Sequence, residues 1–245
     1  MQAANDPPAP DAASALFMAL LTMTPEQRAR ALSDDPVHVR RLAQAAAVHG
    51  LIEGQLLFAR MLLAGTGGTV DRDQAFSWFI AAAKSDNAEA WNMLGRCHEN
   101  GWGTPIDRAQ ASLWFHKAAQ AGHDWAQYNL GHLYLNGHGV VRNAAQAFRW
   151  YKTAADQGHA RAMNLVGRCY EHGWGVACDL FRASQAYQAS AESGYFRGQF
   201  NHASLLAAQG RMGEALEWFR RAIDGAPQSS HAAMTEAFYG ILDND

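Results

Sequence analysis

Two arginines, Arg96 and Arg168, lie 72 residues apart, each preceded at four residues by an asparagine (Asn92, Asn164) and followed at three by a glutamate (Glu99, Glu171). Positions four apart share a helix face. An arginine beside an asparagine on adjacent turns can hold a carboxylate through charge-assisted hydrogen bonds. Midway between the two sets, the same places read Tyr128, His132 and Leu135, an aromatic and weakly basic pair without the acid. This suits capture of a peptide carrying acidic groups. The same spacing also suits solvated Arg96–Glu99 and Arg168–Glu171 ion pairs, and both readings stand at this point. Trp102 and Trp174 form a second candidate surface, since each sits between two glycines. Exposed tryptophans anchor interfaces; these two could equally fold back onto the neighbouring helices.

Reacting groups are scarce. The chain has no Gly-x-Ser-x-Gly, no His-Glu-x-x-His, no phosphate-binding Gly-x4-Gly-Lys and no Cys-x2-Cys. His98-Glu99 and Glu171-His172 look like metal ligands. His98, however, falls where other copies place tyrosine, which reads as a packed core histidine. No catalytic residue, metal or cofactor is expected. A net charge of −3 with no basic run gives no general attraction for nucleic acid or an anionic membrane.

These residues are positioned by a repeat of 36 residues. Gly95 recurs as Gly131 and Gly167, and Gly101-Trp102-Gly103 recurs as Gly137-His138-Gly139 and Gly173-Trp174-Gly175. Trp78 and Phe79 recur as Trp114 and Phe115, then as Trp150 and Tyr151. A fixed period of this length marks a stacked array in which no unit buries its apolar face alone. Ala90, Leu94, Cys97 and His98 follow helical spacing, as do their counterparts from Ala126 and Ala162, and define a helix A. The glycine inside helix A costs about 1 kcal/mol against alanine, so its recurrence implies close approach of the neighbouring helix. The Gly-X-Gly loop ends helix A. Asp71, Asp107, Asn143 and Asp179 are placed to cap a second helix, B, which buries sets such as Ala111, Phe115 and Ala118.

The pattern Ala-x3-Leu-Gly-x2-Tyr-x2-Gly-x-Gly-Val, then Ala-x2-Trp-Tyr-x2-Ala-Ala-x2-Gly, is clearest over residues 126–158. It closely resembles the Sel1-like repeat, a longer relative of the tetratricopeptide repeat, and the resemblance covers about residues 50–194. The resemblance implies an all-α, right-handed α-solenoid with the A helices lining its concave face. It also implies an adaptor or scaffold, most often bacterial, and transfers no catalytic residue. The expected partner is a protein or peptide, acidic in part, docked in the A-helix groove by Asn92, Arg96, Tyr128, His132, Asn164 and Arg168. The alternative is an accessory or regulatory protein of a cell-envelope or metal-handling pathway, with small-ligand binding or weak enzymatic activity.

The organisation expected is a disordered tail (1–12), a degenerate first repeat acting as N-terminal cap (13–49), four repeats (50–86, 87–122, 123–158, 159–194), a tetratricopeptide-like unit (195–227) and a C-terminal capping helix and tail (228–245). The fifth unit is set apart by a loop about four residues shorter. The apolar stretch 15–21 follows Asp6 and Asp11 and no basic residue, unlike a secretory signal. No run is long enough to insert in a membrane. The expected location is cytoplasmic, although relatives of the resembled family include exported proteins. Some of those staple their hairpins with disulfides; here only Cys169 and Cys178 could do so, and three reduced thiols are expected.

Overall fold

The computed structural model describes residues 35–242 together with Thr22 and Thr24. The expected tail, and most of the expected N-terminal cap, lie outside the described residues. Twelve helices and no strand occur among those described, in two compact units divided after Ala118.

The first unit contains α1 (Pro36–Val48), α2 (Ile52–Ala64), α3 (Arg72–Ala83), α4 (Ala88–Asn100) and most of α5 (Arg108–Gln120). Helices α2 and α4 are of type A, and α3 and α5 of type B. Asp71 caps α3 by accepting the Gln74 N–H at 2.9 Å, and Asp107 accepts that of Gln110 at 2.9 Å. The core stacks Leu56, Phe58, Leu62, Phe79, Met93, Leu94 and Cys97, all buried. Helix α1 starts at Pro36, after Asp35 has capped it through the Val37 N–H. It occupies the place of a B helix: a Cβ on Gly67 would lie 2.1 Å from the Pro36 carbonyl oxygen, as one on Gly103 would from that of Arg72. The two loop glycines therefore serve different ends. Gly101 (φ 70°) is the left-handed cap of α4. Gly103 lets the loop touch the start of the preceding B helix.

The second unit contains α6 (Asp124–Asn136), α7 (Ala144–Asp156), α8 (Ala160–His172), α9 (Leu180–Glu192), α10 (Phe196–Ala208), α11 (Met212–Asp224) and α12 (Gln228–Leu242). Asn143 and Asp179 cap α7 and α9. The A helices α6, α8 and α10 pair with the B helices α7, α9 and α11, and α12 packs on the last pair. The connection between α10 and α11 spans only residues 209–211. Buried Gln199 donates back to the Ala191 carbonyl, tying α10 to the end of α9.

The recurring glycine inside helix A has the role its spacing suggests. A Cβ on Gly95, Gly131 or Gly167 would lie 2.5–2.6 Å from the ring of Phe115, Tyr151 or Tyr187 on the paired B helix. The aromatic ring packs flat on helix backbone, and all three rings are buried.

Candidate docking groove on the A helices

In the second unit, the A helices α6, α8 and α10 line a groove of about 670 Å³, and α12 contributes Ser229, Ser230, Ala233, Met234 and Ala237 to it. Tyr128, His132, Asn164 and Arg168 all reach this groove. So do Phe200, which continues the Asn92, Tyr128 and Asn164 register at the 36-residue interval, and Arg161, Tyr195, Phe196, Arg197 and Asn201, which the repeat pattern does not single out.

Each sequence-derived residue has a definite place. Arg168 is exposed and lies over the Trp174 ring at 4.8 Å, and Arg96 lies over Trp102 at 4.9 Å. Arginine and tryptophan thus form one composite surface in each of these two repeats. Both tryptophans are half-buried against the core, folded back onto their own helices. The i, i+3 pairing of Arg168 gives way to another arrangement: Glu171 accepts the Tyr187 hydroxyl at 2.6 Å and lies 3.4 Å from the His172 Nε2. Asn92 and Asn164 differ from the expected outward posture and are 4% and 5% exposed. Asn164 Oδ1 accepts the Asn201 amide at 2.8 Å, so this position links successive A helices. In the first unit, Arg96, Trp102, Arg60, Arg72 and Met93 surround a smaller pocket of about 330 Å³, with Arg60 paired to Glu89 at 3.0 Å.

Burial sets the protonation of the groove floor. The His132 ring packs edge-on against Tyr128 and Tyr151 at 4.6 and 5.5 Å. Desolvation, aided by the Arg168 charge, lowers its pKa to about 4, so it is neutral at pH 7. Burial pushes the Tyr128 phenol up, against the opposing charges of Arg161 and Arg197. Arg161 itself lies over the rings of Trp125 and Tyr195 at 5.1 and 5.7 Å. Its helix begins with an unusual cap. His159 Nδ1 accepts the Ala162 N–H at 3.1 Å, and His123 does the same for Ala126 at 3.2 Å. Asn87 fills this place in α4, which was the available sequence signal that a side-chain acceptor is needed there.

Other reactive groups are quiet. All three cysteines are free, and burial pushes the Cys97 and Cys169 thiols up to about 12, where they are unreactive. His98 packs edge-on against Phe76 at 5.5 Å. Among the described residues no three His, Cys, Asp or Glu side chains converge as a metal site, and no helix is long and apolar enough to cross a membrane. No Ser, Thr or Cys of the second-unit groove hydrogen-bonds a His, Asp or Glu.

The model of the Sel1 repeat matches residues 52–87, 88–123, 126–159, 160–195 and 212–226. By fold, the chain resembles a Sel1 repeat protein from Oxalobacter formigenes (22% identity, TM-score 0.74, 87% of this chain and 85% of that one). It also resembles c5321, a protective antigen present in uropathogenic Escherichia coli strains and displaying an SLR fold (27% identity, TM-score 0.71, 87% of this chain, 46% of that one). A stretch of 72 residues is 40% identical to an exopolysaccharide production negative regulator of Rhizobium meliloti (strain 1021) and covers 27% of each chain. The chain therefore spans less than half the length of both the antigen and the regulator.

Proposed function

This chain belongs to the Sel1 repeat family of all-α, tetratricopeptide-like solenoids, and from that premise we propose that it is a non-catalytic adaptor that docks an acidic protein or peptide segment in the groove of its A helices. One observation carries the reading. The second-unit groove presents three arginines (Arg161, Arg168, Arg197) against one carboxylate, Glu171, and that carboxylate is engaged by Tyr187 and His172. A positive groove with an aromatic floor favours a partner carrying negative charge beside apolar surface. Neutral His132 and half-buried Tyr128 make up that floor, and Asn164 braces it from below. In the first unit Arg96 with Trp102 offers a smaller contact of the same composition. Likeness to a regulator of exopolysaccharide production over part of the chain supports a regulatory role.

The test is capture of partners from lysate of the source organism by wild type, by Arg168→Glu/Arg197→Glu and by Arg149→Glu as a charge control on the B-helix side. The expected result is a partner held by wild type and by Arg149→Glu and lost from the double variant. Equal retention by all three would refute groove docking and direct attention to other faces.

A further inference from the structure

We propose that the second-unit groove reads an extended segment in which two carboxylate side chains, three or four residues apart, flank one large apolar side chain. This rests on the docking role above and specifies its ligand.

Among the described residues, three arginines of this groove lack an ion-pair partner. Some arginines elsewhere meet acids, among them Arg60 with Glu89 at 3.0 Å, Arg182 with Asp179 at 3.4 Å, Arg211 with Glu214 at 2.7 Å and Arg221 with Glu217 at 3.0 Å, while others such as Arg72, Arg108 and Arg149 are exposed on separate helices. Among the described residues Arg161, Arg168 and Arg197 make no ion pair, although they line one groove. Arg161 is also restrained in advance. Its guanidinium lies over Trp125 and Tyr195, so less side-chain freedom remains to be lost on binding.

Spacing turns these cations into a pattern. Arg161 and Arg168 are seven residues apart on α8, about 10.5 Å of helix rise. Arg197 stands on the neighbouring A helix, about 10 Å to the side. Leu165 lies on α8 between the two arginines, and Phe196, Phe200 and Met234 line the same groove from α10 and α12. A β-extended chain rises about 3.3 Å per residue and returns a side chain to the same face every second residue, and a polyproline-type chain rises about 3.1 Å and does so every third, so same-face acids four or three residues apart are separated by about 9–13 Å. That matches the Arg161–Arg168 interval and leaves the residue between them over the apolar lining.

Random peptides displayed with both ends fused would be selected on the full-length chain. The expected outcome is enrichment of sequences with two Asp or Glu three or four apart around Phe, Leu or Met. The enriched sequence, made as an acetylated and amidated peptide, should bind wild type and Arg149→Ala alike. Binding should be weaker by roughly tenfold or more to Arg161→Ala and to Arg168→Ala. Both arginines are exposed, and an unchanged thermal melt would confirm that each variant is folded. No enrichment, enrichment without acids, or binding indifferent to both arginines would overturn the proposal. Binding that appears only when the peptide C-terminus is free would also overturn it, by showing that a terminal carboxylate is read. If groove variants lose the natural partner while selection gives no acidic pattern, the ligand assignment falls and the docking role stands.

Discussion

Replacing Gly131 by alanine tests how the hairpins are built. The new Cβ would lie 2.5 Å from Tyr151 Cε1 and 2.6 Å from Cδ1, where ordinary carbon contacts need about 3.5–4.0 Å. The ring or the helix must therefore retreat by about 1 Å, and Tyr151 is fully buried. Overpacking of this kind costs about 1–3 kcal/mol, and removing a mid-helix glycine returns up to about 1 kcal/mol. The expected net loss is about 1–2 kcal/mol. Gly213 in α11 is the control, because a Cβ there meets nothing within 4 Å. Gly213 is the second residue of α11, so Gly213→Ala should be neutral or stabilise by up to about 0.5 kcal/mol. Ala59 and Ala203 occupy the matching place in the first and fifth hairpins, opposite Phe79 and Phe219. A Cβ is thus tolerated where the helix pair is formed around one, which keeps the expected loss at the lower end. Urea unfolding followed by far-ultraviolet circular dichroism, with the m-value held constant, gives both changes. In a Tyr151→Ala background the Gly131→Ala penalty should vanish, a coupling above about 1 kcal/mol. If both alanine variants stabilise equally, or the penalty survives without the ring, close helix approach is not why the glycine is there.

Three further outcomes are expected. The His132 pKa is depressed from 6.5 to about 4, so the unfolded chain takes up that proton first as pH falls. The stability it contributes is complete above about pH 6.5 and is lost on descent towards pH 4; between pH 7 and 4.5 this amounts to at most about 2–3 kcal/mol. His98, His159 and His202 are shifted in the same direction by burial and steepen the loss. Urea midpoints against pH should fall more gently in His132→Gln than in wild type. The Tyr151 hydroxyl is buried without a hydrogen-bond partner, whereas that of Tyr187 donates to Glu171. Tyr151→Phe should therefore be neutral or stabilising by up to about 1 kcal/mol and Tyr187→Phe destabilising by about 1 kcal/mol, which thermal melts can rank. His159→Ala should cost more than about 1 kcal/mol, because buried ring packing on Trp125 and Tyr128 is lost together with the α8 cap. His159→Asn should restore it, because Asn87 caps α4 at the same repeat position; amide exchange in the first turn of α8 reports the difference.

The helical hairpins from residue 52 onward, and the caps that open and end their helices, were legible in the chain because they depend on local, periodic signals. Asp107 and Asn143 cap where a backbone N–H lacks a partner, and Gly101 ends α4 where only a left-handed residue fits. Even the close approach at Gly131 showed itself as a residue that costs helix stability yet recurs. Tyr128, His132 and Arg168 could be placed on the groove because a helical face repeats every turn. What a side chain meets once there depends on residues far away in sequence. Trp174 folds under Arg168 and Glu171 turns to Tyr187, contacts set by packing between loop, A helix and B helix. Asn164 is buried because Asn201, one A helix further on, reaches back to it. Arg161 and Arg197 meet in one groove, and that is a property of a stack of helices with α12 set against it. Periodicity fixes the angle at which each side chain leaves its own helix; burial, pairing and charge in the groove follow from how successive helices are laid against one another.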